Sequence, residues 1–179
     1  LALDSEYIPA MQSNMGLYDG YGCFNDKVRD SLIKGGLNSN DALGWVTDRK
    51  HSKIRDYKEL VKGIRGYINY RVKDRSKTVT YATCHDNFTL YDRIKAAGIT
   101  DEETVKKMAM LANSVILTSD GIGFMLSGEE LLRTKNGNDN SYNSSYEENE
   151  INYDLKIQNL DMFNNYKKLI NFKKNINFN

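Results

Sequence analysis

The chain has 179 residues, enough for one domain with a real core. Its 40% hydrophobic content is ordinary for a globular protein, and 25 basic against 24 acidic side chains leave a formal net charge of +1. That balance argues against nucleic acid or an anionic membrane as partner, and no apolar run approaches the length of a membrane span.

The chain opens at Leu1 with neither an initiator Met nor the basic-then-apolar pattern of a secretory leader. It stops at Asn179 within a charged, helical pattern. Both ends are read as those of a piece, which leaves the compartment open. Residues 21–24 predict a short strand with a polar turn at Asn25 and Asp26. Residues 54–68 place Ile54, Tyr57, Leu60, Val61, Ile64 and Ile68 on one helical face. Residues 78–84 are rich in β-branched and aromatic side chains, and polar residues follow at once, so they predict a strand. Thr100 and Glu103 fit a capping box for a helix carrying Val105, Met108, Ala109, Ala112, Val115 and Ile116 on one face. Gly121 breaks that helix, and 122–126 predict an apolar strand. A polar stretch spans 127–161, and a last helix spaces Phe163, Tyr166, Leu169 and Ile170.

Short strands that alternate with helices and read as buried on both faces predict an α/β fold, a parallel sheet covered by helices. About three strand–helix units fit, fewer than the eight that close a (β/α)8 barrel of about 250 residues. The alternatives are a small open sheet or the last part of a barrel.

His85, Asp86 and Asn87 follow the 78–84 strand directly. Polar side chains there lie at the C-terminal face of a parallel sheet, where such folds bind ligands. Sugar hydroxyls would satisfy them, but Asp and Asn are also ordinary turn residues. The context favours the sugar. Residues 81–92 read YATCHDNFTLYD, which resembles the fourth signature region of the α-amylase superfamily, glycoside hydrolase family 13. The Leu-Tyr-Asp continuation resembles type I pullulanases and related debranching enzymes. Three further stretches agree in order: GYGCFNDKVRDSL at 20–32, SDGIGFMLSGEELLRTKNGNDNSYNSS at 119–145, and ENEINYDLK at 148–156. Residues 37–52 match nothing in that pattern.

The resemblance implies that 1–179 is a single fragment of a catalytic domain, a partial (β/α)8 TIM barrel with roughly strands six to eight and their helices. The N-terminal half of the barrel would lie upstream. The parent would hydrolyse α-1,6-glucosidic linkages in pullulan, branched dextrins or glycogen with retention, and its partner would be an α-glucan. An isoamylase-like debranching enzyme and a non-catalytic carbohydrate-binding or regulatory protein on a degenerate hydrolase scaffold stay open. So does an independent small α/β domain.

Carried over by residue, Asp86 corresponds to the transition-state stabiliser, His85 to a histidine bonding the same sugar, and Asn87 to their binding or structural neighbour. The resemblance implies a nucleophile after the fourth strand and a general acid after the fifth, both before Leu1; Asp4, Glu6 and Asp19 are carboxylates near the start, but none sits in the family's acid motif. The chain alone is therefore expected to be inactive. Arg133, Asn140 and Tyr142 are substrate-binding candidates, against a surface loop laced by its own Asn, Asp and Ser side chains. Glu129 and Glu130 form either a carboxylate pair or structural contacts. Asn25, Asp26, Arg29 and Asp30 read as a supporting network, Trp45 as packing rather than a sugar platform, and the residues around Met108 and Met110 as core. His51 and the lysines from Lys167 to Lys174 read as solvated, and Cys23 and Cys84 as small buried thiols. No metal ligand set or cofactor is expected. Structural calcium occurs in the family, but no DxDxDG loop marks it here.

Overall fold

The computed structural model describes residues 9–34, 44–47, 54–69 and 72–176. Asp4, Glu6, His51 and most of 37–52 lie outside them. Three parallel strands form one sheet in sequential order: β1 (Cys23–Phe24), β2 (Thr78–Tyr81) and β3 (Ile122–Phe124). Cys23 pairs with Thr78, and Val79 in turn with Ile122. Helices α1 (Asp26–Leu32) and α2 (Ile54–Ile64) follow β1, while α3 (Leu90–Ala96) and α4 (Glu102–Thr118) follow β2. After β3 come two four-residue helices, α5 (Tyr146–Asn149) and α6 (Leu155–Gln158), and then α7 (Leu160–Asn175).

The three strands are each shorter than the sequence pattern predicts, and the two outer ones are not buried on both faces. Phe24 in β1 is 42% exposed and Ile122 in β3 is 51% exposed, because no described strand covers their outer edges. The core lies on the helical side. Val28 and Leu32, Leu60, Leu90 and Ile94, the α4 stripe Val105, Ala109, Ala112 and Ile116, and Met162 and Tyr166 form one cluster. Each fully buried aliphatic chain there contributes about 1.5–3 kcal/mol. Trp45, Met108 and Met110 pack against this cluster, as expected of core rather than site residues.

Several local expectations are corrected. The predicted turn at Asn25 and Asp26 is the start of α1. The predicted helix over 54–68 stops at Ile64, because Gly66 adopts the left-handed conformation (φ 71°) that ends helices. Ile68 therefore joins a separate small cluster with Met15 and Val72, and Tyr57 is exposed. The cap of α4 is Asp101, not Thr100, since its carboxylate accepts the Thr104 amide at 2.9 Å. Cys23 and Cys84 are half-buried rather than buried. Lys173 is not solvated: its ammonium donates to the Ser119 and Gly121 carbonyls and ties α7 to the turn before β3.

Gly63 supplies a first prediction. A Cβ there would stand 1.9 Å from Cγ2 of Val28, which is fully buried where α1 meets α2. On an exposed helix, glycine to alanine would add about 1 kcal/mol. Gly63→Ala should instead destabilise by about 1–3 kcal/mol through overpacking. Denaturant unfolding checks the sign.

Candidate functional site

Beyond Tyr81 the chain stays buried through Ala82 and Thr83 and then emerges. The His85 and Asp86 side chains are 85% and 69% exposed, with His85 Nε2 3.5 Å from Asp86 Oδ1. Asn87 turns the chain at φ 64°, a left-handed conformation that Asn tolerates better than most residues. Thr89 then caps α3 by accepting the Asp92 amide at 3.1 Å. Of the two readings of His85-Asp86-Asn87, the turn belongs to Asn87, while His85 and Asp86 project outward.

The segment after β3 builds the facing wall. Gly128 (φ 96°) and Leu132 (φ 58°) bracket a tight turn, and the Asn136–Gly137 pair makes another. Asn138 accepts the Asn140 amide at 2.8 Å and donates to Ser144 Oγ at 3.0 Å. Ser141 and Asn149 bond to each other twice, at 2.9 and 2.8 Å. The loop is thus laced by its own Asn and Ser side chains, as one reading holds. That lacing leaves Asn140 exposed and Tyr142 84% exposed. Arg133 donates to the carbonyls of Ser127, at 3.3 Å, and Asn149, so its guanidinium holds the loop closed.

Between the two walls lies a cleft of about 190 Å³, lined among others by His85, Asp86, Arg133, Lys135, Asn140 and Tyr142. The structure thus brings five of the six sequence candidates to one cavity. Asn87 instead lines a cavity of about 10 Å³ beside Arg29 and Arg93.

Buried polar groups tie the end of β2 to the segment after β3 and α4 to α7. Thr83 donates to Glu129, which is 4% exposed, and Asn113 donates to the Tyr166 hydroxyl at 2.6 Å. Burial pushes the Glu129 carboxyl up to about 7, against the Thr83 hydrogen bond, which favours the ion. Glu129 is therefore a structural group linking β2 to the loop. Glu130 accepts the Gly128 amide at 3.0 Å. On the β1 side, Tyr81 donates to Asp26 at 2.5 Å and accepts from Arg29 at 2.7 Å, while Arg29 also pairs with Asp30 at 2.8 Å. This is the supporting network the sequence suggests, and Phe24 packs edge-on against Tyr81 with ring centroids 4.9 Å apart. Asp19 is exposed and lies 3.9 Å from the Lys77 ammonium.

Two residues that matter here carry no prior assignment. Lys135 is 4% exposed, and its ammonium donates to the His85 carbonyl at 2.8 Å. Burial lowers its pKa. Asp92 is also buried and accepts from Thr134 Oγ1 at 2.5 Å and the Lys135 amide at 2.7 Å. The spacing Thr89-x-x-Asp92, a capping signature, could have marked Asp92 in the sequence. Among the described residues, Cys84, His85 and Asp86 offer ligand atoms within 4.8 Å of one another, so these three could share a metal ion.

No family model matches the chain. A pullulanase of Bacillus subtilis is 29% identical over an alignment 171 positions long, gaps included, that covers 92% of this chain and 23% of that protein. A pullulanase of Klebsiella aerogenes is 35% identical over an alignment 185 positions long, gaps included, that covers 80% of this chain and 17% of the relative. The solved type I pullulanase of Bacillus subtilis, complexed with maltose, superposes with a TM-score of 0.86 at 27% identity, over 97% of this chain and 24% of that one. The chain spans about a quarter or less of the length of these proteins. Over most of its length, in sequence and in fold, the chain is a pullulanase relative that corresponds to a part of those proteins.

Proposed function

We propose that this chain is the C-terminal part of the catalytic (β/α)8 domain of a pullulanase-like glycoside hydrolase, contributing strands six to eight with their helices. The full-length protein hydrolyses α-1,6-glucosidic linkages in pullulan, branched dextrins or glycogen, with retention of configuration. The observation that carries this reading is the cleft that joins His85 and Asp86 to Arg133, Asn140 and Tyr142. The sequential order of three parallel strands, with their C-terminal ends at the cleft side, supports the barrel reading. Solved pullulanases in complex with malto-oligosaccharides support an α-glucan as the ligand.

In this reading Asp86 is the fixed carboxylate beside an oxocarbenium-like transition state. Positive charge develops on the sugar as the bond breaks, so a fixed anion stabilises that state more than the ground state. His85 bonds the same sugar. Tyr142 offers a ring face for stacking, and Asn140 offers amide hydrogen bonds to hydroxyls. Asn87 contributes by shaping the turn, and Arg133 by holding the loop that carries Tyr142. The nucleophile and the general acid, about 5–5.5 Å apart in retaining enzymes, come from segments upstream of Leu1.

The test compares the full-length protein with 1–179 on pullulan. The full-length protein should release maltotriose units, and 1–179 should release none. Hydrolysis by 1–179 itself would overturn the assignment of the nucleophile and acid to upstream residues. Cleavage of glycogen but not pullulan would identify an isoamylase-like enzyme, and binding without cleavage a non-catalytic scaffold.

A further inference from the structure

We propose that Lys135 is a positioning residue that acts through the His85 carbonyl to set the direction in which Asp86 meets the sugar. The inference rests on the functional reading above and deepens it.

Asp86 has little packing of its own. Its side chain is 69% exposed, and His85, at 3.5 Å, is itself 85% exposed. A carboxylate held that loosely would wander by more than catalysis tolerates, since a misplacement of about 1 Å can cost about a hundredfold in rate. The precision must come from the backbone. The His85 carbonyl and the Asp86 amide belong to one planar peptide, so fixing the carbonyl fixes the start of Asp86. Lys135 fixes that carbonyl at 2.8 Å from a buried position.

Lys135 is in turn anchored. Its amide donates to Asp92 Oδ2 at 2.7 Å, and the neighbouring Thr134 hydroxyl donates to Asp92 Oδ1 at 2.5 Å. Asp92 sits in the first turn of α3, where Thr89 donates to its carboxylate at 2.8 Å. The chain of contacts therefore runs from a helix end, through the loop after β3, to the peptide that presents Asp86. A buried ammonium is costly unless paired, and the charges facing this one are Asp86 and Asp92, opposed by Arg133. Lys135 thus also links the two walls of the cleft. Arg133 carries Asn140 and Tyr142 indirectly, whereas Lys135 reaches across to the His85 side.

The experiment is a double-mutant cycle in the full-length protein, with Lys135→Met, Asp86→Asn and both together. Lys135→Met should lower kcat on pullulan roughly tenfold to a hundredfold, with KM and the melting temperature nearly unchanged. In the Asp86→Asn background the same change should have no further effect, because the group it positions is gone. An equal loss in both backgrounds, or no loss, would overturn the proposal. If Lys135→Met fails to fold, Lys135→Gln keeps a donor that falls short of the carbonyl and should give the same pattern. Hydrogen exchange separates this test from the functional reading. If the unmodified protein cleaves no glucan, the functional reading fails, and Lys135→Met or Lys135→Gln should still raise exchange at residues 84–88 alone. Unchanged exchange there would then refute the positioning role by itself.

Discussion

Asp86→Asn in the full-length protein is expected to lower kcat on pullulan by roughly 10²–10³-fold, the size of effect seen when one fixed electrostatic partner of a transition state is removed. The substitution keeps size and shape but replaces a full negative charge with a dipole. KM should change little, because in the proposed role the carboxylate favours the transition state over the bound substrate. Stability should stay within about 0.5 kcal/mol, since the side chain is 69% exposed and touches little beyond His85. Steady-state kinetics with a melting curve checks both parts. A kcat within twofold of the unmodified protein would remove Asp86 from the mechanism.

The second large effect is on stability and belongs to Glu129. Its carboxyl is buried and titrates near 7, against 4.5 for an unburied glutamate. The folded protein therefore holds a proton that the unfolded chain releases. The stabilisation is complete below pH 4.5, falls as pH rises toward 7, and is flat above it. Integrated over that window, the loss is of order 3 kcal/mol. Glu129→Gln carries a neutral group of the same shape and should flatten the slope while leaving stability at low pH nearly unchanged. Melting temperatures between pH 4 and 8 for both proteins check this. An identical slope in Glu129→Gln would show that Glu129 is not the titrating group.

The fold was legible where periodicity had room to act. The α4 stripe from Val105 to Ile116 and the α7 positions around Tyr166 follow from helical spacing alone. Helices α1 and α3 escaped, because each is seven residues long with a single i,i+4 pair, Val28 with Leu32 and Leu90 with Ile94. Two turns give too few repeats to separate a helix from a turn. Strand ends were overextended for a related reason: Thr83 and Cys84 have strand-like neighbours in sequence, but pairing stops at Tyr81 opposite Phe124.

The site divides in the same way. Its outward residues were legible because side chains that project from a strand end or loop follow from local pattern. Lys135 and Lys173 were not, because lysines in polar stretches read as solvated while their partners lie 50 and more residues away. A buried ammonium is defined by what surrounds it in space. Glu129 shows the same limit, since its Thr83 partner is 46 residues away. In the loop after β3, Asn138, Ser141 and Asn149 supply the side chains that lace it, while the Asn140 amide joins that lacing through its backbone and the Asn140 and Tyr142 side chains stay exposed.

The most direct test of the account is a crystal structure of the full-length Asp86→Asn protein soaked with maltotriose. The account predicts one glucose ring in the cleft of His85 and Tyr142, with its hydroxyls within hydrogen-bonding distance of His85 and residue 86 and its face against the Tyr142 ring. A glucan bound elsewhere, with that cleft holding solvent alone, would contradict it.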